Sequence, residues 1–260
     1  MGYLNNVVGY RDDLLASRSI VRHGNYALLT PDGLVKNIIP GFAHCDVTIL
    51  STPKLGASFV DYLVTLHENG GNQSGFGGEG IETFLYVIEG EITAGAQGKS
   101  FPLTKGGYIY CPPGERVTFI NNYSGDSQLF LYKRRYIAVE NHAPYLVTGN
   151  VSQLERIQYE GMEDVILIDF LPKELGFDMN MHILSFEPGA SHGYIETHVQ
   201  EHGAYILSGQ GVYNLDNNWV PVKQGDYIFM GAYSLQAGYG VGREAFSYIY
   251  SKDCNRDVEI

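Results

Sequence analysis

Apolar residues in this chain come in short runs that Gly, Pro or Asn brings to a halt. DYLVTLHENG and NMHILSFEPG show the pattern: about six mostly apolar positions, then a turn residue that a helix would not tolerate. Val, Ile, Tyr and Phe fill these runs, which suits pleated backbone. Runs recurring at roughly 8–12-residue spacing predict an antiparallel sandwich or barrel, all-β in class. Helical periodicity is nearly absent; single turns are expected at most at Arg11–Ser17 and within SQLERIQYEG (152–161).

The pattern occurs twice. FLYVIEGEITAGAQGKSFPLTKGGYIYCPPG (84–114) matches AYILSGQGVYNLDNNWVPVKQGDYIFMGAY (204–233), with Gly90 opposite Gly209 and Gly107 opposite Gly225. The copies continue into LFLYKRRY (129–136) and FSYIYSKD (246–253). A period of about 118 residues is that of a duplicated domain, well beyond the 20–50 residues of a solenoid unit. The expected organisation is an N-terminal extension over 1–45, a first domain over 46–139, a polar connection over 140–165 and a second domain over 166–260.

Composition narrows the function classes. Hydrophobic residues at 44% against 18% charged provide for a core and argue against disorder. A net charge of -12 repels phosphate backbones, so nucleic acid is not an expected partner, and a small-molecule substrate is. Cys45, Cys111 and Cys254 are far apart and form no CxxC pair, which fits a reducing, cytoplasmic setting. The first residues lack a basic segment followed by an apolar stretch, and no window approaches 18 uninterrupted apolar residues; neither a secretory leader nor a membrane partner is expected.

Four of the eight histidines fall between 181 and 202. The central run is ETHVQEHGAYILSG, 196–209. In extended backbone Glu196, His198 and His202 share parity and can face one side. Two imidazoles and a carboxylate form an open set suited to iron or manganese. His198 and His202 are also four apart, as on a helix, but the zincin pattern needs Glu where Val199 stands, and PGASHG and LSGQG disfavour a long helix. The first copy is an internal control: GFGGEGIETFLYVIEG and CPPGERVTF contain no His. Glu79 and Glu82 are left there, expected in a solvated loop or at a subunit contact, so the chemistry is assigned to the second half.

The spacing resembles the cupin superfamily, whose first motif usually runs His-x-His-x(3,4)-Glu-x(6)-Gly. Here it reads Glu196-x-His198-x(3)-His202-x(6)-Gly209, with Glu and one His exchanged, and the second motif, GDYIFMGAYSLQ, carries Gln236 at the usual His position. The resemblance implies a bicupin, two antiparallel double-stranded β-helix (jelly-roll) barrels with an N-terminal extension, and Glu196, His198, His202 and Gln236 as metal ligands. This mixed N/O shell suits Mn(II) best, with Fe(II) or Zn(II) as alternatives.

HGYIETHVQEHGAYILSGQGVYNLDNNWVPVKQGDYIFMGAYSLQ, followed by YIYSKDCNRD, is similar more specifically to the (S)-ureidoglycine aminohydrolase family, as are STPKLGASFVDYLVTL and GIETFLYVIEGEI. That likeness implies release of ammonia from (S)-ureidoglycine to give (S)-ureidoglycolate in purine and allantoin breakdown. It implies Glu196, Lys252 and Tyr248 as catalytic residues, and Tyr213, Tyr248 and Lys252 as substrate-binding ones. The alternatives are another metal cupin enzyme, a dioxygenase or sugar-acid isomerase, or a non-catalytic ligand-binding bicupin. A homo-oligomer is expected from exposed sheet edges.

Overall fold

A computed structural model describes residues 17–253. The turn expected at Arg11–Ser17 lies outside them but for its last residue, as does Cys254. Strands dominate, and the only helical pieces among the described residues are three-residue 3-10 turns. Two of these, Val151–Gln153 and Tyr159–Gly161, occupy the stretch where a helical turn was expected, with the short strand Ile157–Gln158 between them.

Nine strands form the N-terminal sheet. From one edge the order is Val147–Asn150, Gly107–Cys111, Ile81–Glu89, Ser127–Arg135, Phe59–Gly77, Arg116–Ile120, Glu91–Ala96 and Lys99–Thr104, with Ala43–Ser51 beside Phe59–Gly77. The 19-residue strand Phe59–Gly77 runs in both walls, and its register with Arg116–Ile120 shifts between Asn72 and Phe76. Gly70 and Gly71 are required there. A Cβ at Gly70 would fall 2.2 Å from the carbonyl oxygen of His44, and one at Gly71 2.1 Å from that of Phe119.

The second copy splits into two sheets. Eight strands run Ile20–Arg22, Tyr26–Leu29, Tyr227–Met230, His202–Ser208, Phe246–Asp253, Met179–Phe186, Val165–Asp169 and Ile157–Gln158; three more run Asn218–Lys223, Gln210–Leu215 and Gln236–Val241. The N-terminal segment reaches across to the second barrel. Its strand Tyr26–Leu29 pairs with Tyr227–Met230 of the C-terminal barrel, whereas Ala43–Ser51, which begins at the end of the expected extension and runs into the expected first domain, belongs to the N-terminal one. The connection is shared likewise: Val147–Asn150 pairs with Gly107–Cys111, and Ile157–Gln158 with Val165–Asp169.

Three cores result. One fills each barrel, and a third lies where the two large sheets pack face to face. Phe84 and Tyr86 point into this seam, while Leu85 and Val87 point into the N-terminal barrel. In the other half Met179, Met181 and Ile183 face the seam and Leu184 and Phe186 the C-terminal barrel. Burial on both faces explains why these strands are apolar almost throughout. Each fully buried aromatic or aliphatic side chain adds about 1.5–3 kcal/mol.

The seam also contains charge. Glu82, expected in solvent or at a subunit contact, is fully buried instead, because its parity on Ile81–Glu89 is that of Phe84 and Tyr86. The hydroxyl of Tyr110 donates to Glu82 Oε2 at 2.7 Å, and Arg134 Nε lies 4.0 Å from Oε1. Burial, helped by the carboxylate of Asp178, pushes Glu82 well above the usual carboxylate range. Glu79 is exposed, as expected.

Asp61 is the second buried carboxyl. Tyr227 of the other barrel donates to its Oδ2 at 2.6 Å, and a Cβ at Gly203 would fall 2.0 Å from that oxygen. Burial pushes Asp61 up to about 8, against hydrogen bonds from Tyr227 and Ser51. The folded state therefore favours the protonated acid: its contribution is complete below the unfolded value of 3.8 and is lost as pH rises through about 8. Asp61→Asn, which cannot ionise, is expected to gain stability relative to the parent between pH 5 and 8.5, by roughly 1–3 kcal/mol. Thermal melts across that range test this; a stability difference that does not change with pH overturns it.

Candidate metal centre

The C-terminal barrel encloses a cavity of about 240 Å³. Period-two geometry decides which side chains reach it. On Phe246–Asp253, Tyr248, Tyr250 and Lys252 line the cavity, while Ile249 between them packs into the seam. Asn180, His182 and Leu184 line it from the adjacent strand, and Tyr213 from the three-stranded sheet. Every residue assigned a role from sequence, Glu196, His198, His202, Tyr213, Gln236, Tyr248 and Lys252, lines this one cavity.

Three of them converge at their tips. His202 Nε2 lies 3.3 Å from His198 Nε2, and Gln236 Nε2 lies 2.8 Å from the same atom. The opposite ring nitrogens face backbone carbonyls, His198 Nδ1 that of Gln200 at 3.0 Å and His202 Nδ1 that of Ser251 at 2.8 Å. A carbonyl only accepts, so each Nδ1 carries the proton and each Nε2 presents a lone pair. Burial, reinforced by His198, holds His202 well below the usual imidazole range and keeps it neutral. Two lone pairs directed at each other across 3.3 Å repel, and a cation between them reverses the sign. The tautomers are those of metal-bound histidines. The two imidazoles therefore fit a divalent metal ion, and Gln236, whose Nε2–H here meets the lone pair of His198, would join them through its amide oxygen with the amide turned over.

Glu196 sits differently. Its backbone forms a two-bond bridge with Gln236, N–H to carbonyl in both directions at 2.9 Å, which ties the two motifs together. Its Oε1 lies 3.9 Å from His192 Nε2, and among the described residues no three His, Cys, Asp or Glu side chains close into one cluster. Burial raises its affinity for a proton, and the positive charge of Lys252 opposes the shift. The loop before Gln236 is fixed by the N-terminal segment: Gly231 N–H donates to the carbonyl of Asn25 at 2.6 Å, and Ser234 Oγ to the same oxygen at 2.8 Å.

Several lining residues carried no sequence assignment. His192 takes a structural part: its Nδ1 accepts from Gly238 N–H at 2.7 Å, its ring meets Phe186 edge-on, and burial lowers it to about 4. Of the assigned residues, Tyr213 and Tyr248 bring their hydroxyls to 3.3 Å, and burial raises both. Asp169 and His182 form a short pair, 2.6 Å apart. His182 was marked in the sequence only as one of the four histidines between 181 and 202, and nothing marked Asp169.

Two barrels, the second with two imidazoles and an amide converging at their tips, define a bicupin. A family model described as an EutQ-like cupin domain matches residues 55–122, and one described as a cupin domain matches 182–234. The chain is 83% identical, over the full length of both, to a protein of Escherichia coli (strain K12) named (S)-ureidoglycine aminohydrolase. It is 31% identical to one of Arabidopsis thaliana with the same name, over 93% of this chain and 79% of that one. The crystal structure of protein Ylba from E. coli superposes with a TM-score of 0.87 at 79% identity, over 97% of this chain and 100% of that one. The chain belongs to the (S)-ureidoglycine aminohydrolase family.

His202→Ala removes a donor whose ring is already oriented by Ser251. The variant is expected to retain less than about one tenth of the parent's divalent metal after dialysis against trace metal, measured by atomic emission. Retention at the parent's level would show that the ion is held elsewhere.

Proposed function

We propose that the chain hydrolyses (S)-ureidoglycine, releasing ammonia and leaving (S)-ureidoglycolate, with Mn(II) held by His198, His202, Gln236 and Glu196. One observation carries the reading: a single cavity is lined by the lone-pair cluster, a carboxylate of raised proton affinity and a lysine. The name shared with the E. coli and Arabidopsis relatives supplies the substrate.

The substrate is a carbon bearing a carboxylate, an amine and a ureido group. When bound, the divalent ion supplies a positive charge that anchors the anionic substrate and polarises groups beside it. Lys252 supplies a second positive charge to hold the carboxylate. With two points fixed, the third substituent of the stereocentre has one place to go, and the enantiomer is selected. The C–N bond to the amine breaks, a C–O bond to water forms, and a proton must move from the water to the departing nitrogen. Glu196 is the carboxylate of the cavity placed for that transfer, on the same wall as Gln236 and facing Lys252. Tyr213 and Tyr248 remain protonated and serve as hydroxyl donors. A cytoplasmic setting and a homo-oligomer belong to the same reading.

Metal-free protein reloaded with Mn(II) and given freshly generated (S)-ureidoglycine is expected to release ammonia well above the spontaneous rate; a rate equal to the spontaneous one refutes the assignment. Glu196→Gln is expected to lower kcat about 10²–10⁴-fold. Lys252→Met is expected to raise KM by roughly 10-fold or more, the loss of a charge-assisted contact to the carboxylate. Steady-state kinetics separates the two, and a Lys252→Met variant with unchanged KM removes that role.

A further inference from the structure

One polar group of the cavity has no part in the chemistry so far. His182 is 7% exposed and lies on the cavity side of Met179–Phe186, stacked on Tyr250 at 5.1 Å with 24° between the rings. Its Nδ1 is 2.6 Å from Oδ1 of Asp169, the residue opposite it on the neighbouring strand, and Lys173 Nζ is 2.8 Å from the other oxygen of Asp169. Asp169 is held down at about 2, its burial outweighed by His182 and Lys173. Burial lowers His182 despite Asp169, so the ring is neutral.

The hydrogen-bonding sense follows. Oδ1 and Nδ1 meet at 2.6 Å without the angle of a formed hydrogen bond. Yet an ionised carboxylate only accepts, so a proton on the nitrogen beside it is the favoured arrangement, and Nε2 is then the acceptor. Nε2 is buried and has no hydrogen-bond partner among the described residues. Such an acceptor costs about 1–3 kcal/mol, and at the wall of a ligand cavity it points to a ligand that donates. A carboxylate has no hydrogen to donate and would meet the charge of Asp169. A ureido group carries N–H donors.

We propose that the Asp169–His182 pair is a ureido-positioning subsite, in which His182 Nε2 accepts an N–H of the substrate's ureido group and selects carbamoyl-bearing acids over plain hydroxy acids. This rests on the reaction proposed above and names how one of its three substituents is recognised. Asp169 acts through His182, by fixing the tautomer and the ring. His182 touches the group that does not react.

The test uses the full chain loaded with Mn(II) and two probes, ureidoacetate, which has the ureido group and no leaving amine, and glycolate, which lacks the ureido group. Calorimetry is expected to show ureidoacetate weakened about 10-fold or more in His182→Phe, with glycolate within twofold of the parent. His182→Gln, whose amide oxygen accepts from the same side, is expected to recover most of the loss. Asp169→Asn can donate to Nδ1 and so reverse the sense at Nε2; it is expected to show the same ligand-selective loss in a cavity of unchanged shape. With (S)-ureidoglycine, His182→Phe raises KM more than it lowers kcat. Equal losses for both probes, or no loss for either, overturn the subsite, and so does a parent protein that does not prefer ureidoacetate. A parent that prefers ureidoacetate but releases no ammonia from (S)-ureidoglycine overturns the reaction and leaves the subsite standing.

Discussion

Burial of both large sheets on both faces is the constraint from which the rest of the structure follows. On the strand Phe246–Asp253, Ile249 is committed to the seam, which leaves Tyr248, Tyr250 and Lys252 no direction but the cavity. The carbonyl of Ser251 in the same strand orients His202. A slip of one residue would turn every one of these side chains to the wrong face and empty both cores at once. The precision of the centre is thus enforced mainly by apolar packing at a distance from it. The first barrel contributes to the chemistry by being the surface against which the second is registered.

This explains why much of the molecule could be read from sequence. The strand period and the duplication depend on parity, and parity is visible in a string of letters. Tyr213, His202 and Lys252 meet in space because each occupies the inward parity of its own strand. Glu196 and His198 reach the same cavity by another route: the backbone from 196 to 201 is irregular, with a bend at Val199, and not the extended run that parity assumed. What parity cannot reveal is which face of a doubly buried strand meets which neighbour. Glu82 was expected in a solvated loop or at a subunit contact for that reason, since a lone carboxylate among apolar residues gives no sign that Tyr110 and Arg134 lie opposite. The pairing of Asp169 with His182 needed the register of two strands, which turn chemistry and long-range packing decide. The pairing of Tyr26–Leu29 with the far barrel was illegible too, because a four-residue apolar strand carries no sign of which sheet it joins.

Polar groups in this fold work under two regimes. In the seam, Asp61 and Glu82 are surrounded by aromatic side chains, and burial drives both toward the neutral acid. In the cavity, Asp169 stays ionised because His182 and Lys173 stand against it, and Glu196 lies between these extremes. The same side-chain type thus serves as a neutral hydrogen-bonding wedge in one place and as a fixed negative charge in another. The difference is the balance around each group. Lys173 and His182 stand 2.8 and 2.6 Å from Asp169, whereas Glu82 has burial and the carboxylate of Asp178 against a single, more distant Arg134, and Asp61 has only hydroxyls.

The strand Tyr26–Leu29 gives the duplicated architecture an asymmetry. It pairs with Tyr227–Met230, whose Met230 is opposite both Tyr26 and His202, so a segment near the beginning of the chain completes a sheet made near its end. During synthesis that edge cannot close until nearly the whole chain has emerged, and contacts of such sequence separation slow folding. Asn25, one residue earlier, fastens the loop that leads to Gln236, so that side of the cavity is positioned only after these two segments have met. The centre is therefore assembled late, as the closing step of a chain clasped end to end. The two barrels descend from a repeat, but they have lost the independence of repeats: cut apart, the second would lack an edge strand and the loop anchor that its chemistry uses.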